Sequence, residues 1–488
     1  MGLLGILVGL VLLMALAYRG WSILLLAPLA ALIAAAFSAE PLLAHWTQTF
    51  MGAAAGFVAQ FFPLFLLGAL FGKLMDDSGS VNAIADYMTY KLGPERAVLA
   101  VILAGALVTY GGVSLFVAFF VIAPMGLALF RASNVPRRLL PAAIALGTST
   151  FTMSALPGTP AIQNAIPMPF FGTTAFAAPG LGVIAAAIMF GFGFWWLRLR
   201  QGRAEAAGEG FGSDTAADTQ EGKSNIVQDV TLRELATTAR EFDPIEVQAG
   251  KKADTTPGIV FAVLPLGVVV LVNLVASQFV LPRMDFAFLA LPEWGSTSLG
   301  AIGGVWAVAL ALLAGIIVLL ATSFSRLPSL RESVDAGCNA SVLPIMSVAS
   351  LVGFGAVVAA LPAFSVVKEW VLGIEGGPLV SLAVATNILA ALTGSASGGM
   401  TIALDALGPT FMQISAQTGL DPAIMHRVAV ISSGTLDSLP HNGAVVTMLA
   451  VCGCSHKESY ADIVVVAVLG AMLALVAVIL LGSLLGSF

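Results

Sequence analysis

Charge is scarce in this chain of 488 residues: Asp, Glu, Lys and Arg together make up 10% of it, against roughly a quarter of a soluble domain. With 58% hydrophobic residues and a mean hydropathy of +0.97, it cannot wet its own surface, which excludes a string of soluble domains. Cysteine is nearly absent. Cys338, Cys452 and Cys454 make no disulfide framework, and the Cys452/Cys454 pair has no second pair to complete a metal site, so both read as small packing residues. Four histidines, at 45, 426, 441 and 456, give no metal spacing. The nucleophile elbow, the zinc-protease helix motif and the phosphate-binding P-loop are all missing, so neither an enzyme nor a bound cofactor is expected, and energy should come from an ion gradient. Basic residues form no stripe interleaved with aromatics, which excludes nucleic acid as a partner.

What the chain has is long apolar runs without the two-residue alternation of a barrel strand. The fold class expected is an all-α polytopic membrane protein, because helices satisfy the backbone inside lipid. Crossings of about 20 residues are read at 2–18, 21–38, 51–75, 138–168, 170–197, 257–280, 297–324, 340–361, 420–450 and 461–486. The first has no basic residue ahead of it and reads as an anchor more than a cleaved signal. The segments 97–130 and 377–412 do not fit one crossing each. The former has 34 residues without an acidic or basic side chain, roughly 51 Å of helix against a hydrocarbon core of roughly 30 Å. It must fold back at TYGGVS, where Gly111 and Gly112 supply the turn, and LTGSASGGMT, with Gly394, Gly398 and Gly399 between short apolar legs, behaves likewise in the latter. Both are expected to be re-entrant hairpins.

With the amino terminus outside, every Lys and Arg except Arg283, Lys368 and Arg427 falls on the cytoplasmic side, as the positive-inside rule requires. Both termini are then periplasmic. Residues 198–256, with 19 of the 48 charged residues, read as a flexible cytoplasmic linker in which LRELATTAREF can form a surface helix. Arg427, near an outer helix end, is expected to snorkel there or to draw an anion into the vestibule.

The two sides of the linker are alike. TFTMSALPGTPA (Thr150 to Ala161) aligns with SGTLDSLPHNGA (Ser433 to Ala444) at an offset of 283 that also pairs Phe71-Gly72 with Phe354-Gly355. Two repeats are expected, 1–197 and 257–488, each of five crossings, one of them discontinuous, plus a hairpin. An odd number of crossings inverts the second copy, an organisation of secondary transporters. The helices 138–168 and 420–450 should break at Pro157, Pro160 and Pro440, exposing half-helix N–H groups that suit a carboxylate and carbonyls that suit a cation. Candidate contacts for a small organic anion are Tyr110, Gly111, Gly112, Ser114, Thr150, Thr152, Ser154, Gly158, Thr159, Gln163 and Asn164 in the first half, and Ser395, Ser397, Gly398, Gly399, Ser433, Thr435 and Asn442 in the second. Intramembrane acids are functional by default, so Asp437, with His441 one turn later, is the proton-coupling candidate and Asp405 a second one.

The combination LFGKLMDDSG, LPGTPAIQNAIP and SSGTLDSLPHNGAVVTMLAVCG followed by HKESYAD resembles the gluconate:proton symporter (GntP) family of permeases, within the ion transporter superfamily. The resemblance spans nearly the whole chain. It implies proton-coupled uptake of a small organic anion, a bacterial inner-membrane location, and a homodimer in which the hairpin-bearing part moves as an elevator. SALPGTPAIQNAIP departs from the proline- and histidine-rich stretch of gluconate carriers and looks like the branch associated with short hydroxy acids such as 3-hydroxybutyrate. The rival readings are a sodium-coupled dicarboxylate or citrate carrier and an anion channel.

Overall fold

A computed structural model of the protein describes residues 1–17, 19–212, 243–440 and 442–488. Among the described residues the regular structure is entirely helical. Six helices are each long and apolar enough to cross a bilayer: Leu42–Asp77, Pro179–Ala206, Ile259–Arg283, Leu299–Arg326, Leu330–Ala360 and His456–Leu485. Gly2–Ala17, Ile23–Phe37 and Pro378–Thr393 are apolar but shorter. Apolar side chains such as Leu7, Val11, Val260, Phe261, Ile317 and Leu480 remain exposed, as a lipid-facing surface requires. The Leu330–Ala360 helix is the centre of the protein, since 72% of its most apolar stretch is buried against 33 to 50% in the other five. Small residues let its neighbour come close: a Cβ on Gly337 would lie 2.9 Å from the Leu70 Cα of the Leu42–Asp77 helix.

The packing comes in matched pairs. Gly2–Ala17 lies on Ile23–Phe37 as Ile259–Val275 lies on Leu299–Ser323. Ile23–Phe37 lies on Leu330–Ala360 as Leu299–Ser323 lies on the Leu42–Asp77 helix. Ala97–Tyr110 packs on Leu140–Thr148 as Pro378–Thr393 packs on Pro422–Thr435.

Both segments read as hairpins are pairs of helices joined by tight glycine turns. The first is Ala97–Tyr110 and Leu115–Ala132, the second Pro378–Thr393 and Ala396–Thr418. At Gly112 the backbone is left-handed, φ +99°, with Pro160 so near that a Cβ would sit 2.7 Å from its ring. The legs of the second hairpin cross at Gly399, where a Cβ would meet the Ala390 backbone nitrogen at 2.3 Å. Gly399→Ala should therefore force the legs apart and destabilise the protein by about 1–3 kcal/mol. An unchanged melting temperature in detergent would show that the crossing is looser than described.

Several boundaries differ from those read in the sequence. The crossing placed at 170–197 is the helix Pro179–Ala206, and the one placed at 340–361 begins at Leu330. Two helices, Ser80–Leu92 and Phe364–Leu372, had no counterpart in that reading. Both carry charges among apolar residues and are too short to span, so neither gives a membrane signal. Ser80–Leu92 meets the first hairpin leg at a bend of 103°.

The linker departs furthest from expectation. LRELATTAREF lies outside the described residues, but the described parts of 198–256 are held in place. Arg138 binds Glu209 through Nε at 2.6 Å and a terminal nitrogen at 2.9 Å, and this pairing holds the Glu209 carboxyl below the usual carboxylate range. Further on, Lys252 Nζ reaches Asp76 at 2.8 Å, Ala253 N donates to Asp77 O, and Lys73 Nζ donates to Asp77 Oδ1 at 2.9 Å and to Val247 O at 3.3 Å. Lys73, Asp76 and Asp77 are all completely buried. The acidic pair of LFGKLMDDSG is thus covered by residues 243–256 where a free linker was expected. A charge-rich segment reads as solvated until its buried counter-charges are located.

Candidate functional site at two interrupted helices

Neither proline-bearing helix runs through. The first is divided into Leu140–Thr148, Phe151–Ser154, Ile162–Ala165 and Pro167–Phe171, and the second into Pro422–Thr435 and Gly443–Val451. Proline removes the donors that would continue the ladder, and much of each break is buried although Pro440 is exposed, so the buried polar groups need partners within the protein. In the first break Tyr110 Oη donates to Pro157 O at 2.8 Å, Asn273 Nδ2 to Gly158 O at 3.1 Å, and Asn164 Nδ2 to Thr159 O at 3.0 Å. Three successive carbonyls expected to suit a cation therefore already accept hydrogen bonds. In the second break Asn442 caps its half-helix by accepting from Ala444 N, and its Nδ2 donates to Gly394 O at 3.0 Å and to Asp437 Oδ1 at 2.9 Å. Asp437 is 1% exposed.

Each break is thus tied to the tip of its own hairpin, through Tyr110 in one half and Asn442 in the other. The two interrupted helices also meet next to their breaks: a Cβ on Gly434, near the end of Pro422–Thr435, would lie 3.3 Å from Ser154 Cβ, at the end of Phe151–Ser154. The exchange extends to the hairpins. Gly443–Val451 contacts Leu115–Ala132 of the first, while Ile162–Ala165 and Pro167–Phe171 contact Ala396–Thr418 of the second.

A cavity of about 80 Å³ opens between the first tip, the first break and the Leu42–Asp77 helix. It is lined by Gly112 and Ser114 from the tip, Met153, Pro160 and Gln163 from the break, and Phe65 and Gly68 from the long helix, with Thr109 beside them. Gly111 sits at the same tip, against Leu266.

Most of the candidate hydroxyls are spoken for as donors. Thr150 donates to Leu146 O, Thr152 to Gly147 O and Thr148 O, Ser154 to Thr150 O, Ser433 to Val430 O and Thr435 to Ile431 O. Ser395 caps Gly398 N and lies 3.2 Å from Ser397 Oγ. Thr159 Oγ1 is 3.4 Å from Ala161 N. A hydroxyl that gives its proton to its own helix turns lone pairs outward. Such groups can receive a ligand's hydroxyl, whereas a carboxylate needs N–H donors from elsewhere.

Asp405 lies exposed on the return leg of the second hairpin, while Asp437 is buried at the break, so these two acids are not presented to the same surroundings. His441 lies outside the described residues. Arg427 does not snorkel: it is completely buried. Its Nε and one terminal nitrogen hold Ala177 O at 3.2 and 2.7 Å, and the other terminal nitrogen reaches Asn164 Oδ1 at 3.3 Å. His426 Nε2 meets the same Oδ1 at 3.2 Å, and its Nδ1 meets Thr173 Oγ1 at 2.6 Å. Since Asn164 Nδ2 donates to Thr159 O and Ala175 O, its Oδ1 is the acceptor. His426 therefore carries a proton on Nε2. Reasoning from sequence missed Asn273, whose lone amide in an apolar helix was the available signal, and Thr109, which donates to Gly105 O next to Thr152.

Interrupted helices packed together in an all-helical membrane protein are the mark of a secondary transporter. The comparisons agree. The sequence model of the GntP family permease matches residues 1–175. Over 472 residues, 95% of each protein, the chain is 39% identical to the uncharacterized transporter YxjC of Bacillus subtilis (strain 168). It is 33% identical over 128 residues, 26% of this chain and 30% of the other, to an uncharacterized transporter of Haemophilus influenzae. This protein belongs to the GntP family of permeases. Among solved structures it shares its fold with the Alcanivorax borkumensis YdaH transporter, at a TM-score of 0.52 and 17% identity, over 90% of this chain and 87% of that one.

Proposed function

We propose that the protein is a proton-coupled symporter of a small hydroxymonocarboxylate, such as 3-hydroxybutyrate, gluconate or a related acid, working by alternating access in the bacterial inner membrane. The observation that carries the reading is the contact of the two interrupted helices at Ser154 and Gly434, each beside its break, with a buried Asp437 bonded to Asn442 in the second break. Thr109, Ser114 and Gln163 in the wall of the cavity support a hydroxylated substrate, and its volume of about 80 Å³ supports a small one. Asp437, aided by His441, would carry the proton, with Asp405 a secondary candidate. The matched helix contacts support two repeats, 1–197 and 257–488, joined by 198–256. In this reading they are of inverted topology, with both termini periplasmic and the linker cytoplasmic, and a homodimer provides the scaffold for an elevator motion.

Proteoliposomes loaded under an imposed pH gradient should accumulate the labelled acid, and a sodium gradient at equal pH should not drive it. Uptake that follows sodium and ignores pH would replace this reading with a sodium-coupled carrier of dicarboxylates or citrate. Unlabelled substrate on the far side should accelerate exchange; a pore gives no such acceleration.

A further inference from the structure

Arg427 presents an electrostatic problem that the fold does not solve. A guanidinium is almost never fully buried without a carboxylate, yet Arg427 is completely inaccessible and its polar partners, Ala177 O and Asn164 Oδ1, are neutral. Among the described residues no carboxylate lies within 4 Å of it. The second ionisable group at hand, His426, brings no negative charge. Its position is fixed from several sides: a Cβ on Gly182 would lie 3.3 Å from Arg427 Nε and 2.5 Å from Ala155 O, where the first break begins. Asn164, which Arg427 holds, is followed back along the chain by Gln163 in the cavity wall. The guanidinium therefore stands beside the first break, bonded to the residue next in sequence to one that lines the cavity.

We propose that Arg427 is a specificity-determining residue: a fixed, uncompensated positive charge that makes the cavity at the first break select anions through its field, without contacting them. This rests on the reading that the site takes an anion, and it assigns the charge that the back-bonded hydroxyls and capped carbonyls do not supply. The permanent charge of an arginine suits the task, since it persists at any working pH, and a buried source is not screened by salt as a surface funnel would be.

The test measures, by the concentration dependence of thermal stabilisation of the purified full-length protein in lipid nanodiscs, the affinities of acetate, 3-hydroxybutyrate, gluconate and citrate, each against its neutral amide. Wild type should prefer at least one anion over its amide by roughly tenfold, the factor that a unit charge acting over about 10 Å at an effective dielectric of about 20 produces. That preference should persist from roughly 0.01 M to about 1 M salt. Arg427→Met should bring anion and amide to near parity, and Arg427→Lys, whose buried amine sheds its proton far more readily than a guanidinium, should keep the preference at acidic pH and lose it at alkaline pH, where wild type still holds it. A folded Arg427→Met with undiminished preference overturns the proposal, as does a wild type that prefers no anion. If Arg427→Met does not fold, the wild-type salt series decides, because a preference that collapses with salt belongs to surface charges. If the preferred anion is citrate, the hydroxymonocarboxylate reading falls while the role of Arg427 stands.

Discussion

Asp437→Asn should reduce accumulation under a pH gradient to simple equilibration while leaving exchange of labelled for unlabelled substrate in place. The substitution is nearly isosteric, and the new amide oxygen can still accept from Asn442 Nδ2, which now donates to Asp437 Oδ1 at 2.9 Å. The cap of Gly443–Val451 through Ala444 N is untouched, so the second break should survive. What is lost is the titratable group. One proton moving down one pH unit is worth about 1.4 kcal/mol, or about tenfold accumulation, so a coupled carrier and an uncoupled one differ by about that factor per unit of gradient. Measured in proteoliposomes, full accumulation by the variant would remove Asp437 from the coupling role.

The largest effect on stability should come from Lys73→Met. Lys73 and Asp77 are both entirely buried at 2.9 Å, one turn apart on the same helix, and Asp76 lies beside them. Removing the cation strands a carboxylate that has no water to turn to, at a cost of about 3–5 kcal/mol. The double variant Lys73→Met/Asp77→Asn removes both charges and should recover a large part of the lost melting temperature. If the double variant melts no higher than the single one, the ion pair is not what stabilises this corner, and the loss belongs to the packing of the lysine stem or its bond to Val247 O.

The features legible in the sequence were those written in a single run of residues. Pro157 and Pro440 announced their breaks, Gly111 and Gly112 the tip of the first hairpin and Gly394 that of the second, because proline and glycine act on the backbone where they stand; Gly398 and Gly399 lie instead in the first turn of the second hairpin's return leg. Asp437 announced itself because an acid in an apolar run has few bland explanations. Features that depend on contacts across hundreds of residues stayed hidden. Arg427 looks like a helix-end arginine until Ala177, 250 positions away, is seen to close over it. Tyr110 looked like a ligand group, and its hydroxyl is instead bound to Pro157 O. The threonines and serines gave the right locations for polarity but not its direction, since whether a hydroxyl donates to its own helix is decided by rotamer and not by composition. Residues 243–256 looked solvated because nothing local reveals that Lys252 has a buried aspartate to meet.

The embrace of the Leu42–Asp77 helix by Leu330–Ala360 sets a timetable for biogenesis. The ribosome finishes the former about 250 residues before it begins the latter, an interval on the order of 13–50 s at ordinary elongation rates. Throughout that wait the newborn amino-terminal half holds Asp76 without Lys252, and Phe50 and Leu70 without Gly353 and Gly337, which receive them. Those groups reach their native partners only when the chain's own later segment arrives.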